Sequence, residues 1–367
     1  VIDRHQDRRF MALALSLGRR GMGNAWSNPA VGCVLVHGAR IVGRGWTQPG
    51  GRPHAEVVAL AQAGPEARGA TAFVTLEPCA HFGKTPPCAN ALIEAGVARV
   101  VIAATDTDPR VAGQGIAKLR DAGIAVETGL MEAEALEDLS GFFLRLAKGR
   151  PRVTLKLASS FDGRIATASG ESQWITGPAA RRHVHGMRMR HDAVMVGGGT
   201  ARADDPQLTV RDMGVSHQPT RVIVSRKLDL PRAGRMWQSI PEVPMILCHG
   251  PNLPEDTLAP WRDQGAALVE CALDGRRVDV HSVLQGLGDH GLTRVFCEGG
   301  GAFAGSLLQA DLVDELVGYT AGLALGAEGQ PAIGAMGLDA LAEAPRFDLV
   351  ETRPIGPDVL HRWLRRR

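Results

Sequence analysis

The sequence predicts an α/β protein of two domains. Three observations carry the prediction. The chain has 367 residues, where a domain takes roughly 150. Strand-like and helix-like apolar runs alternate through both halves, the pattern of layered α/β domains with mainly parallel central strands. That alternation breaks once, at Lys148-Gly149-Arg150-Pro151-Arg152, a charged turn with proline. The break sets the expected domains at residues 1–148 and 149–367.

Phe10 to Leu17 has the apolar spacing of a helix. Gly21, Gly23, Asn28 and Pro29 then interrupt the chain before a hairpin of two strands, Ala30 to Val36 and Arg40 to Trp46. A helix follows over His54 to Ala63, a strand over Thr71 to Leu76, a helix over Cys88 to Ala95 and a strand over Arg99 to Ala104. Gly113 to Ala122 and Glu132 to Ala147 read as further helices. Beyond the break, strands are expected at Val153 to Leu157, Ala193 to Val196, Arg221 to Val224, Pro244 to Leu247, Ala267 to Val269, Arg294 to Cys297 and Leu312 to Tyr319. Helices are expected near Ala179 to Met189, Val278 to Leu287 and Ala302 to Gln309.

Composition excludes several classes. Hydrophobic residues at 44% and charged residues at 22% are ordinary globular usage. Lys+Arg 41 against Asp+Glu 39 leaves a charge of +2, without the basic footprint of nucleic-acid binding. Arg365, Arg366 and Arg367 read as a frayed, solvated end. No apolar run approaches the ~18 residues of a membrane span, and Val1 to Arg9 is charged rather than signal-like, so the expected location is the cytoplasm. Six scattered cysteines do not make a disulfide framework. Cys33, Cys248, Cys271 and Cys297 lie on apolar strand-like runs and read as packing residues, whereas Cys79 and Cys88 stand in polar, Pro-rich surroundings.

Those two cysteines join a constellation. His54-Ala55-Glu56 opens a helix, Pro78-Cys79 follows a strand, and Cys88 starts the next helix. One imidazole and two thiolates hold Zn²⁺ tetrahedrally with a position left open for water, and a Glu near the metal but not bound to it moves protons. H-x-E followed by P-C and a second Cys is the zinc-deaminase arrangement. The cysteine spacing departs from C-x-x-C by a longer loop; His81 within it reads as a residue of the substrate pocket or a cap of the loop, and is the nearby candidate for a fourth ligand if the site were closed and structural.

A second constellation lies in the other half. Glu298-Gly299-Gly300-Gly301 and Gly197-Gly198-Gly199-Thr200 are both strand-to-helix glycine turns, where backbone N–H groups and the helix dipole favour phosphate. The G-x-G-x-x-G spacing of a Rossmann fold is absent. Ser225-Arg226-Lys227 at a strand end suits the 2′-phosphate of NADP, so NADPH is the expected cofactor.

The stretches Asn28-Pro29-Ala30-Val31-Gly32-Cys33, His54-Ala55-Glu56, Glu77-Pro78-Cys79 and Thr85-Pro86-Pro87-Cys88 closely resemble the deaminase half of the bifunctional riboflavin-biosynthesis deaminase/reductase family. The long cysteine loop belongs to that resemblance, while Trp26 and Ser27 stand where the family commonly has Thr and Pro. Lys156 to Arg164, Ser172-Gln173-Trp174-Ile175-Thr176, Asp204 to Thr209 and Glu298-Gly299-Gly300 resemble its reductase half. The resemblance implies a cytidine-deaminase-like zinc domain followed by a dihydrofolate-reductase-like domain. It implies hydrolytic deamination of 2,5-diamino-6-(ribosylamino)pyrimidinone 5′-phosphate, then NADPH-dependent reduction of ribosyl to ribityl.

Carried over residue by residue, His54, Cys79 and Cys88 hold zinc, Glu56 shuttles protons, and Asn28 contacts the base or acts as a turn residue. Lys156 and Asp204 are the acid candidates of the reduction. Ala158, Trp174, Thr200, Asp204, Ser225 and the run Gly300, Gly301, Ala302, Phe303, Ala304, Gly305 and Ser306 contact NADP. Trp174 equally reads as core packing. Ser172, Arg188, Leu208, Arg211 and Glu298 contact the substrate, with Arg188 and Arg211 forking its phosphate. The expected partner is this small molecule, with no nucleic acid or membrane, and family resemblance implies a homo-oligomer. Two competing readings are a nucleoside or tRNA deaminase with a degenerate second domain, and a zinc- and NADP-binding sensor without turnover.

Overall fold

Met11, Ala14, Leu15 and Leu17 are buried on the first helix, α1 (Arg4–Gly18), because their spacing brings them to the side that packs on a sheet. The computed structural model describes residues 4–82, 86–108 and 112–366. They fall into two units, Val1–Gly149 and Arg150–Arg367.

In the first unit the elements run α1, β1 (Gly32–His37), β2 (Arg40–Trp46), α2 (Ala55–Ala63), β3 (Thr71–Leu76), α3 (Cys88–Ala95), β4 (Arg99–Ala104), α4 (Gln114–Asp121), β5 (Ala125–Thr128) and α5 (Glu132–Lys148). The sheet order is β2-β1-β3-β4-β5. β1 pairs antiparallel with both β2 and β3, while β3, β4 and β5 are parallel and joined through α3 and α4. The expectation of mainly parallel strands therefore holds for one side of this sheet only. A two-residue hairpin connection, His37 to Arg40, forces the antiparallel pair. β5 escapes the apolar pattern because it is a short edge strand with exposed Ala125, Glu127 and Thr128.

Two glycines of β2 bring the sheet close to α2. A Cβ on Gly43 would lie 2.2 Å from the Ala59 carbonyl oxygen, and one on Gly45 would lie 2.2 Å from that of Ala55. Hydrogen at these positions lets α2 rest directly on the strand, and α2 carries His54 and Glu56 at its start.

The second unit runs β6 (Arg152–Ser160), β7 (Arg164–Ala166), α6 (Pro178–Met189), β8 (Ala193–Gly197), α7 (Gly198–Asp204), β9 (Thr220–Val224), α8 (Arg235–Gln238) and β10 (Met245–His249). It continues through α9 (Glu255–Asp263), β11 (Ala267–Glu270), β12 (Leu273–Asp274), β13 (Arg277–Val278), α10 (Val280–Asp289), β14 (Arg294–Gly299) and α11 (Gly301–Gln309). It ends with β15 (Glu315–Ala321), β16 (Gln330–Pro331), β17 (Phe347–Ile355) and β18 (Asp358–Arg365). The main sheet has the order β11-β10-β9-β8-β14-β6-β15-β18-β17. It is parallel from β11 to β15, and the last two strands are antiparallel. β14 inserts between β8 and β6, so the glycine turns that end β8 and β14 are neighbours at the carboxyl edge, where parallel sheets bind ligands.

The terminal hairpin corrects the reading of the chain end as frayed. Arg365 closes β18 and lies 2.5 Å from Asp311, and Arg366 pairs with Asp348; Arg367 lies outside the described residues. Charged, mostly exposed residues and Pro354 hide β17 from apolar periodicity, as expected of an edge strand. No helix of the described residues is long and apolar enough to cross a membrane.

Candidate active sites

His54 takes the N-cap position of α2 in extended backbone, so its ring projects from the helix start while Glu56 sits in the first turn. Cys79 follows β3 after Glu77 and Pro78, and Cys88 is the first residue of α3. These three segments converge. His54 Nδ1 lies 3.2 Å from Cys88 Sγ and 3.8 Å from Cys79 Sγ, and all three ligand atoms lie within 4.8 Å of one another. Tetrahedral zinc with ordinary bond lengths separates a nitrogen and a sulfur by about 3.6 Å. One imidazole and two thiols at this spacing fit zinc. Among the described residues the group is these three, and His81 is exposed outside it, so the donor set is that of an open site rather than a closed structural one.

The surroundings prepare the ligands. The backbone N–H of Cys88 donates to Cys79 Sγ at 3.3 Å. Hydrogen bonding with Cys88, and then with His54, holds the Cys79 thiol well below its usual range despite burial. Asn28 Nδ2 donates to the Gly51 carbonyl at 2.9 Å and lies 3.5 Å from His54 Nε2. Asn28 thus stands beside a ligand ring and also holds its turn, where its own N–H donates to the Ala25 carbonyl. Glu56 is buried, and that burial pushes its carboxyl up to about 7.

Glu77 stood in the sequence motif without a role of its own. Its buried carboxylate accepts the N–H groups of Gly113, Gly115 and Ile116 at 3.0, 2.9 and 3.2 Å, which ties the segment leading to Cys79 onto the start of α4. The available signal was an acid just before Pro78-Cys79 and far from α4 in sequence.

In the second unit a cavity of about 1360 Å³ opens at the carboxyl edge of the sheet. Its walls include Lys156, Ala158, Ser172, Trp174, Arg188, Thr200, Asp204, Arg211, Ser225, Glu298, Gly300, Gly301, Ala302, Phe303 and Ser306. Leu208, Ala304 and Gly305 are not among its lining residues. Leu208 is packed in the core beside Ile223 and Leu228. Ala304 and Gly305 are buried on α11, because consecutive residues of a helix turn through every direction and cannot all face one cavity. Trp174 is 67% exposed with the Arg181 guanidinium 4.5 Å from its ring centroid, which rules out its reading as core packing.

The two glycine turns meet. Gly300, at a φ of 89°, leaves so little room that a Cβ there would lie 2.7 Å from Thr200 Oγ1. Ten Lys and Arg residues line this cavity against four acids. The volume, the glycine edge and the cationic walls fit a dinucleotide phosphate together with a phosphorylated substrate.

The Arg188 guanidinium lines the cavity already engaged by protein groups. Its Nε and Nη2 grip the two oxygens of Glu298, the latter pair at 3.0 Å, and its Nη1 donates to the Thr209 carbonyl at 2.7 Å. The fork expected for phosphate is engaged by a carboxylate, a contact between α6 and β14 that sequence distance conceals. Arg211 remains at the cavity, hydrogen-bonded to Gln207 at 2.9 Å. Lys156 Nζ lies 3.7 Å from Glu298; burial lowers its pKa, and Glu298 opposes that shift.

Burial alone would raise the Glu298 carboxyl, but Arg188 and Lys156 override it and hold it at about 2. A carboxyl held this far below its ordinary 4.5 adds about 3 kcal/mol to stability above that pH. The contribution disappears as pH falls from about 4.5 through about 2. Glu298→Gln is therefore expected to destabilise the protein by on the order of 3 kcal/mol at neutral pH. Denaturant titrations should show the gap from wild type closing in acid; a gap independent of pH would remove Glu298 as the charge partner.

The likeness to known proteins follows the same division. Residues 4–104 match the cytidine and deoxycytidylate deaminase zinc-binding region, and residues 151–361 match the RibD C-terminal domain. The chain is 43% identical to the riboflavin biosynthesis protein RibD of Escherichia coli (strain K12), covering 96% of this chain and 98% of that one. It is 37% identical to the protein of that name from Aquifex aeolicus, covering 97% and 98%. A solved structure of Acinetobacter baumannii RibD superposes with a TM-score of 0.88 at 38% identity, covering 100% of both chains. A Thermotoga maritima structure, described as a diaminohydroxyphosphoribosylaminopyrimidine deaminase/5-amino-6-(5-phosphoribosylamino)uracil reductase, superposes at 0.86 with 33% identity and the same full coverage.

Proposed function

The chain belongs to the RibD family of riboflavin-biosynthesis enzymes, and from that membership we propose how its residues divide the family's two reactions. The protein is a bifunctional enzyme, a zinc-dependent deaminase and an NADPH-dependent reductase acting on a pyrimidine ribose phosphate. We assign deamination to residues 1–148 and reduction to 149–367. The gathering of His54, Cys79 and Cys88 around one point, with Glu56 buried beside them, carries this assignment.

His54, Cys79 and Cys88 hold the zinc, which when bound supplies a Lewis acid that makes water acidic near neutral pH. Glu56 takes a proton from the attacking water and gives it to the ring nitrogen; it then takes the remaining proton from the hydroxyl of the tetrahedral adduct and gives it to the amine, which leaves as ammonia as the carbonyl forms. Asn28 orients His54 and the base. In the second domain NADPH, when bound, supplies the hydride for C1′ of the opened sugar imine. Thr200, Ser225 and the turn Gly300 to Phe303 hold the cofactor, with Trp174, Ala158 and Ser306 along its sides. Ser172, Arg211 and the Glu298–Arg188 pair position the substrate, with Leu208 able to contribute through its backbone. Asp204 or Lys156 supplies the proton as the amine forms.

Continuous similarity through the second half speaks against a degenerate domain. We further propose a cytoplasmic homo-oligomer. Cys33, Cys248, Cys271 and Cys297, thiols outside the zinc group, suit a reducing compartment, and exposed Leu349, Val350 and Val359 on the terminal hairpin suit self-association. Incubating the zinc-loaded protein with the diaminopyrimidine ribose phosphate should release ammonia, and adding NADPH should then consume nicotinamide absorbance. Zinc-loaded protein that released no ammonia from this substrate would overturn the reading.

A further inference from the structure

We infer that Arg276, at the tip of the small hairpin β12–β13, recognises the 2′-phosphate of the cofactor from the side opposite Ser225 and makes the enzyme prefer NADPH to NADH. The inference rests on the proposed NADPH site and adds a wall that the glycine turns and the end of β9 do not provide.

Sheet order sets the direction of the cofactor. Ser225, Arg226 and Lys227 follow β9, the two glycine turns end β8 and β14, and Lys156 lies on β6. These strands stand in the order β9-β8-β14-β6, so cations, glycines and the proton-supplying end line up across about three strand spacings, or roughly 14 Å. With the diphosphate over the glycines and the nicotinamide toward β6, the adenosine end lies over β9.

The hairpin reaches this same end. A Cβ on Gly250 would lie 3.1 Å from Arg226 Cγ and 3.2 Å from Leu273 Cδ2, so the segment after β9 and the hairpin converge on one point. Asp274 pairs with Arg277, which leaves a two-residue loop of Gly275 and Arg276, with Gly275 at a φ of 57°. Arg277 Nη1 donates to Ser306 Oγ at 3.2 Å, anchoring the hairpin to α11. Arg276 has no hydrogen bond or ion pair among the described residues, nor do the side chains of Arg226 and Lys227, and all three face the cavity. Three unpaired cations around one end of a cavity call for a multiply charged anion, and a phosphate monoester on the ribose supplies it.

Fluorescence titration of the full chain with NADPH and with NADH tests this directly, without turnover. Arg276→Ala is expected to weaken NADPH on the order of ten- to a hundredfold while changing NADH less than about twofold. Arg276→Lys should keep most of the preference, since the charge remains. Equal weakening of both cofactors would make the hairpin a structural element only and overturn the inference, as would a preference that survives Arg276→Ala. An unmodified chain that bound both cofactors alike would instead remove the NADPH reading itself.

Discussion

Glu56→Gln is expected to lower ammonia release by about 10²- to 10⁴-fold, the range a positioned proton carrier contributes. The zinc content should stay stoichiometric, and reduction of separately supplied deaminated substrate should be unchanged. Geometry underlies the expectation. Glu56 is buried in the first turn of α2, two residues beyond His54, and it belongs to none of the ligand atoms of the three-residue group. An amide of the same shape keeps the packing of α2 on β2 and removes only the capacity to accept and return a proton. Residual ammonia release at the wild-type rate would end the proton-carrier assignment. Loss of zinc together with activity would instead make Glu56 a support for the metal.

The metal group was legible because each member stands at an element end that sequence marks well. His54 precedes an apolar helical run, Cys79 follows a strand through proline, and Cys88 opens a helix after two prolines. Parallel strands of the core were legible for a similar reason: buried on both faces, they read as continuous apolar runs. The exposed edge strands were not. β5 and β17 are mostly exposed, so no apolar period distinguishes them from loops. Long-range polar geometry was equally hidden. Arg188 and Glu298 lie 110 residues apart, and only the packing of α6 beside β14 reveals that the guanidinium meets a carboxylate. Arg276 sat in a readable Asp-Gly turn, but nothing local indicates that its tip reaches the glycine-lined cavity.

The reduction offers the sharper choice between two acids. Asp204→Asn is expected to lower NADPH oxidation by about 10²- to 10⁴-fold and to leave deamination untouched. Asp204 ends α7 and lines the cavity, and burial raises its pKa, so a larger share of it is protonated near neutrality than of an ordinary aspartate. Capping of the next helix belongs to its neighbour: Asp205 accepts the N–H groups of Arg235 and Met236 at 2.7 and 3.0 Å. The Asp204 carboxyl has no hydrogen bond among the described residues, which leaves it available to a ligand. Lys156 is differently placed, 3.7 Å from the Glu298 carboxylate that Arg188 also holds. If Asp204 is the acid, wild-type reduction slows as pH rises through its elevated pKa, because the required form is the protonated one. Asp204→Asn then removes that limb of the pH profile, and Lys156→Met leaves its position unchanged while weakening substrate placement through Glu298. The reverse pattern, a limb that persists in Asp204→Asn and vanishes in Lys156→Met, would transfer the proton to the lysine and leave Asp204 a wall of the cofactor site.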